Sequence, residues 1–230
     1  MIGFVFVPGR EPFCREAAVE DASAVKPPRG EYAKTRAKRQ AIIDAAGEVF
    51  AAAGYRSGSL REIAARVGIS EAGIFHHFSS KAKLLDAVLV EHDRRTVEFV
   101  TAGTGAAGAL RRIARFAEGI PHAPGLVELH CIVSAEAVSP EHPAHQHFVE
   151  QRATSRDLIA GWFEQLDAEG RYRSHLHCRD AAKLFVAMFD GIQLHWLLDP
   201  GSVDVASLAR TMLSEFVDID WDVDEHASAG

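Results

Sequence analysis

Ser59-Leu60-Arg61-Glu62-Ile63-Ala64-Ala65-Arg66-Val67-Gly68-Ile69-Ser70-Glu71-Ala72-Gly73-Ile74-Phe75-His76-His77-Phe78 is the stretch on which the reading of this 230-residue chain turns. Ser59 followed three residues later by Glu62 has the spacing of a capping box, which satisfies free N–H groups at a helix start. Leu60, Ile63, Ala64 and Val67 then recur at helical spacing and Gly68 stops the run. Ser70 caps a second short helix of about seven residues, closed by Phe78. Two short helices joined by a glycine turn predict a helix-turn-helix, whose last helix lies in the DNA major groove while the preceding one braces it.

Upstream, Ile42, Ile43, Ala46, Val49, Phe50 and Ala53 form a helix stripe from Thr35 that Gly54 is placed to end. Downstream, Ser80 caps a fourth helix whose Leu84, Leu85, Val88 and Leu89 continue toward Phe99. Charge follows the same division. Residues 26–95 hold 13 basic against 8 acidic side chains, whereas 96–230 hold 10 against 20, within a whole-chain net charge of −7. The basic block, densest at Lys34, Arg36, Lys38 and Arg39, supplies the field a short DNA-reading module needs. Residues 1–33 mix prolines and glycines without period and predict a mobile arm.

Beyond Gly103 the pattern stays helical, with segments near 106–119, 125–138, 143–169, 179–198 and 203–217 and an acidic tail over 219–230 expected to fray. The expected fold is all-α. Between Ala181 and Leu198 polar residues are so sparse that the helix must bury two faces, one in its own domain and one against something else, most economically a second subunit.

The stretch from Thr35 to Val90, a quarter of the chain, resembles the TetR/AcrR family of bacterial transcriptional regulators. The resemblance is carried by Ala45-Ala46, Phe50, Gly54-Tyr55, Ser59-Leu60, Ile63-Ala64, Val67-Gly68-Ile69-Ser70, Gly73-Ile74-Phe75-His76-His77-Phe78, Ser80-Lys81 and Leu84-Leu85. It implies an N-terminal three-helix DNA-binding domain over 34–80 and a C-terminal helical domain over 81–218 that binds an effector and dimerises through its last helices. DNA contacts carried over from the family fall on Ser59, Ser70, Glu71, Ala72, Gly73, Phe75, His76, His77 and Lys81. Two departures stand out. Gly58 replaces the family's usual Thr, and Phe75 its usual Tyr, removing two hydroxyls that face phosphates. Phe116, His130, Phe148, Trp162, Phe163 and Phe189 are candidates to line the effector pocket, and Phe185, Trp196, Leu197, Leu208 and Met212 to form the dimer interface.

Other classes leave weaker marks. Gly103-Thr104-Gly105-Ala106-Ala107-Gly108 spells a dinucleotide fingerprint, but no βαβ alternation follows to supply the sheet an NAD(P)-binding enzyme requires. His142, His145 and His147 invite a metal-sensor reading, yet their spacing matches no closed site. No catalytic triad, P-loop or carboxylate pair is recognisable, so neither catalysis nor a cofactor is expected. Cys14, Cys131 and Cys178 are an odd number without a C-x-x-C pair and read as reduced thiols. The longest uncharged run, Phe99 to Leu110, is too short for the ~20 residues of a membrane span, and Met1 to Val7 lacks a basic n-region. Expected partners are operator DNA, a second copy of the chain and a small molecule, in the cytoplasm and without a membrane.

Overall fold

The computed structural model describes residues 29–103, 105–122 and 124–223. Of the arm expected over residues 1–33, residues 1–28 lie outside them, as does the end of the tail, 224–230, while residues 29–33 are not arm but the first turns of a helix. Among the described residues the chain forms nine α-helices, with a single isolated antiparallel bridge, Tyr172 to Val217, in place of any strand. The all-α expectation holds.

The helices are α1 (Arg29–Ser57), α2 (Leu60–Val67), α3 (Glu71–His77), α4 (Lys81–Thr101), α5 (Gly105–Gly119), α6 (Pro124–Glu136), α7 (His145–Ala168), α8 (Cys178–Leu198) and α9 (Val205–Ser214), with a 3-10 turn at Ile120–His122. α1 begins at Arg29, ahead of the periodic stripe at Thr35. Gly54 breaks it with φ +73°, and one further turn carries the chain to Ser57.

Two apolar cores form. The first gathers Ile42, Ala46 and Phe50 of α1, Ile63 and Ala64 of α2, Ile74 of α3 and Leu84, Leu85 and Val88 of α4. It does not stop at the helix-turn-helix. Leu129, Val133 and Ala137, from α6 and the turn after it, and Phe148 of α7 complete it, because α6 lies along α1. The second core joins the end of α4 to α5, α7, α8 and α9 around Phe163, Phe185 and Phe189. Burying such side chains contributes roughly 1.5–3 kcal/mol each.

The start of the acidic tail is pinned rather than frayed. Ile219 is buried, Trp221 packs on the second core, and the Asp218 N–H donates to the Arg171 carbonyl at 2.7 Å. Apolar side chains interleaved with the aspartates supply the contact that a count of charges alone hides.

Candidate nucleic-acid interface

Three serines fix the geometry of the helix-turn-helix. The Ser59, Ser70 and Ser80 hydroxyls accept hydrogen bonds from the Glu62, Gly73 and Lys83 N–H groups at 3.4, 3.1 and 3.1 Å, so α2, α3 and α4 all start from side-chain caps. Between α2 and α3, Gly68 takes φ +72°, and its N–H and that of Ile69 return to the Ala65 and Ala64 carbonyls. A left-handed residue is needed there, which glycine adopts without strain. Only half of the expected capping box forms. The Glu62 carboxylate turns instead to Arg66, 2.8 Å from Nη2, and Arg66 Nη1 binds Glu48 of α1 at 2.6 Å, an ion-pair chain that the reciprocal bond to Ser59 could not compete with.

α3 buries Ile74 and Phe78 closes it, leaving Glu71, Ala72, Phe75 and His76 exposed, with Gly73 and His77 half-buried. Ser59 and Ser70 stand exposed at the N-termini of α2 and α3. Phe75 is 48% exposed, an unusual place for an aromatic ring and a ready apolar contact for a base or sugar. The His76 and His77 rings meet edge to face at 5.5 Å. Burial, reinforced by His76, Arg39 and Lys38, keeps His77 below the ordinary histidine range. The Arg39 guanidinium of α1 lies 4.7 Å over the ring of Phe78, which closes α3. Lys38 and Arg39 were visible in the sequence only as part of a charge run.

Gly58 has a local reason. A Cβ there would stand 2.6 Å from the Phe50 ring and 2.9 Å from the Gly54 carbonyl, so a larger residue requires the turn or the ring to shift. Lys81 is half-buried: its ammonium donates to the Arg56 carbonyl at 3.1 Å and lies 4.8 Å over the Tyr55 ring. Burial lowers its pKa, and Glu136 of α6 opposes that shift. Glu136 in turn accepts from the Tyr55 N–H at 2.8 Å, filling the space that the missing side chain of Gly54 leaves.

A family model of bacterial regulatory proteins, tetR family, matches residues 42–88, the segment spanning these three caps. Over that segment the chain resembles the TetR family. The chain is similar to the transcriptional repressor KstR2 of Rhodococcus jostii (strain RHA1), 25% identical over 197 residues that cover 84% of this chain and 95% of the relative. It is 29% identical over 173 residues to the A-factor receptor protein of Streptomyces griseus, covering 75% of this chain but only 60% of that protein. Among solved structures, a TetR-family regulator from Agrobacterium tumefaciens shares the fold, with TM-score 0.70 and 23% identity over 80% of this chain and all of that one.

The residues expected around an effector do not gather in one place. Phe116 of α5 lines a cleft of about 540 Å³ that reaches α1. Phe163 is fully buried against Tyr172 and Phe216, with centroids at 5.8 and 5.5 Å, and Phe189 stacks on Phe185 at 5.7 Å. Trp162 packs half-buried on the second core. His130, buried, meets Phe148 edge to face at 4.8 Å. Around it runs a polar chain that the sequence did not reveal. His147 Nε2 lies 2.9 Å from Asp93, Asp93 accepts from Gln151, and Arg152 bridges His130 at 3.3 Å and Asp190 at 3.1 Å. These residues sit on four different helices, α4, α6, α7 and α8, which is why no local spacing betrays them.

The residues expected at the dimer contact split by face. Phe185 and Trp196 are 1% and 7% exposed, turned into their own core, because α8 directs them at α5, α7 and α9. Leu197 and Met212 are half-buried and Leu208 is exposed. The outward face of α8 is instead carried by Leu184, Met188, Leu194 and Leu198.

The metal and dinucleotide readings meet physical obstacles. His142, His145 and His147 diverge: His142 faces Glu136 and the Ala144 N–H, His145 the Ala137 carbonyl, and His147 Asp93. Among the described residues no three His, Cys, Asp or Glu side chains gather as a metal site. Gly103 and Gly108 serve the approach of α4 to α5, since a Cβ on Gly103 would lie 2.6 Å from the Gly108 backbone. Among the described residues no helix is long and apolar enough to cross a membrane.

Proposed function

We propose that this chain is a TetR-family repressor that binds a roughly palindromic operator as a homodimer in the cytoplasm and leaves it when a small molecule binds, with no cofactor and no catalysis of its own. The observation that carries the reading is the exposed side of α3, from Ser70 to His77, standing on a serine-capped start, with Arg39 of α1 over the residue that closes it. Capped N-termini direct N–H donors and a positive dipole end toward phosphates, while outward side chains reach base edges. Ser59, Ser70 and Gly73 suit the backbone of DNA; Glu71, Ala72, Phe75, His76 and His77 suit the groove. Lys81 reaches phosphate once its bond to Arg56 gives way. The repressor sense follows KstR2, and the small-molecule response follows the receptor named for A-factor.

Leu184, Met188, Leu194 and Leu198 of α8, with Leu208 of α9, suit an isologous two-fold contact. Two linked α3 helices then read two half-sites whose separation the dimer fixes. Gel-shift titration of operator fragments selected from genomic DNA tests both parts. Affinity should fall steeply with salt, as phosphate neutralisation requires, and His76→Ala should change the selected motif more than the non-specific affinity. Leu194→Glu should yield a monomer in sedimentation and weaken operator binding by an order of magnitude or more. A parent protein that is monomeric at micromolar concentration yet fully bound to its operator overturns the dimer reading.

A further inference from the structure

The cleft that Phe116 lines joins the two halves of the molecule. Its walls are Ile43 of α1, Val88 and Phe99 of α4, Phe116 of α5 and Leu129 of α6, and its volume of about 540 Å³ falls in the range of small-molecule sites. Those walls are mainly carbon. One of the few polar groups in them is the imidazole of His92, 9% exposed, whose Nε2 is buried without a hydrogen-bond partner. A buried polar atom left unpaired costs free energy that a ligand group recovers by meeting it.

Charge at the mouth narrows the ligand class. Asp44, Glu48, Glu91 and Arg95 stand there, and every guanidinium within reach of these carboxylates is already engaged. Arg95 binds Glu91 at 2.7 Å and Asp44 at 3.3 Å, Arg94 binds Glu91 at 2.9 Å, and Arg66 binds Glu48 at 2.6 Å. Arg94 and Arg95 hold the Glu91 carboxyl down to about 2, so it stays charged at any working pH. A further cation near the walls, Arg112, lies over the Phe99 ring and donates to the Phe99 carbonyl. A carboxylate or phosphate entering here would face three carboxylates and break an existing pair, whereas an uncharged molecule disturbs neither.

We propose that this cleft is the effector site, that it takes an uncharged, mainly apolar small molecule with one hydrogen-bonding group for His92, and that the DNA-binding half feels its occupation directly. The last part follows from the walls. α1 belongs to the helix-turn-helix core, α4 and α6 link that core to the second one, and the Arg95 to Asp44 bond ties α4 to α1 across the opening. A ligand seated between them changes DNA affinity by its difference in affinity for the two arrangements. The proposal rests on the ligand-responsive regulator reading.

Two dyes of one skeleton test it on the full chain. N-phenyl-1-naphthylamine is uncharged with a single N–H donor; 8-anilinonaphthalene-1-sulfonate adds an anion. The first should bind at least tenfold more tightly, followed by fluorescence. Gly125→Phe fills the cleft from α6, where a Cβ meets nothing within 4 Å, and Gly47→Leu fills it from α1, where the Cβ stands 3.7 Å from Val88. Each should weaken the uncharged dye at least tenfold, while Gly161→Phe, equally open but on α7, should leave it unchanged. Saturating dye should shift operator affinity of the parent at least threefold and that of Gly125→Phe less than twofold. Equal dye affinity in the parent and both filled variants overturns the location. Sulfonate binding within threefold of the uncharged dye overturns the ligand class, and an unmoved operator affinity overturns the coupling. A parent that binds no operator even without dye counts against the DNA-reading assignment, and the dye measurements then still decide the site.

Discussion

The helix-turn-helix and the domain behind it solve the problem of buried and orphaned polar groups in opposite ways. In the first half, α2, α3 and α4 each begin with a serine whose hydroxyl takes up a free N–H. In the second, only α9 has such a cap, from Asp204, whereas α7 and α8 follow Ala144 and His177 with no side-chain cap, and His92, His130 and Gln193 keep buried polar atoms without partners. One half is specified residue by residue along the chain and presents its polar groups outward. The other holds polar groups inside, at a cost in stability.

Acid should break this contrast most strongly. Burial brings His92 down to about 4 despite the opposing pull of Asp93, and holds His130 well below its ordinary value. Both are neutral in the fold and take up protons more readily when unfolded, near pH 6.5. Their stabilising share is therefore intact above that pH and declines as pH falls toward 4, at up to about 1.4 kcal/mol per pH unit for each histidine and about 3 kcal/mol in all for His92. Urea unfolding at pH 7.5, 6 and 5 should show this slope, and His92→Leu should flatten it. A slope identical in the variant removes His92 as its source.

Next in size is Gly58→Thr, which restores the residue usual in the family. The Phe50 ring and the Gly54 carbonyl stand where its Cβ would go, so a loss of about 1–3 kcal/mol is expected, measured as a lower denaturation midpoint. A neutral outcome would mean the turn relaxes freely and the first half is less tightly specified than its caps suggest. Ser70→Ala should cost about 1 kcal/mol through the lost bond to the Gly73 N–H and should weaken operator binding as well. The smallest effect sharpens the contrast from the other side. His177→Asp supplies the cap that α8 lacks, at an exposed position with extended backbone angles, and should raise stability by about 0.5–1 kcal/mol in thermal unfolding.

The same contrast explains what the sequence could tell. Ser70, Gly73 and Phe78 placed α3 to within a residue, because caps and a C-terminal stop act over three or four positions. The apolar stripe of α1 and the Gly54 break were legible for the same reason. What escaped was set by contacts distant in the chain. Glu62 answers to Glu48 and Arg66 rather than to its cap, Lys81 to Tyr55 and Arg56, and the outward face of α8 could not be told from its inward one when both are apolar. Of the effector candidates, Phe163 and Phe189 fill the second core and only Phe116 reaches the cleft, whose walls mix aliphatic side chains with Phe99, Phe116 and the unpartnered imidazole of His92, drawn from four helices.

The core that α6 completes bears on how such regulators are rewired over evolutionary time. Exchanging residues 34–80 between relatives to redirect a response to new promoters treats the DNA-reading segment as a plug. Here the plug would arrive without its seal: Leu129, Val133, Ala137 and Phe148 close the hydrophobic interior from the far side of the exchange point, and Glu136 fits the notch at Gly54. Recombination that keeps α1 and α6 from the same ancestor should give folded hybrids, and recombination that separates them should not. The unit that folds around α1 is thus a discontinuous set of helices rather than a contiguous cassette.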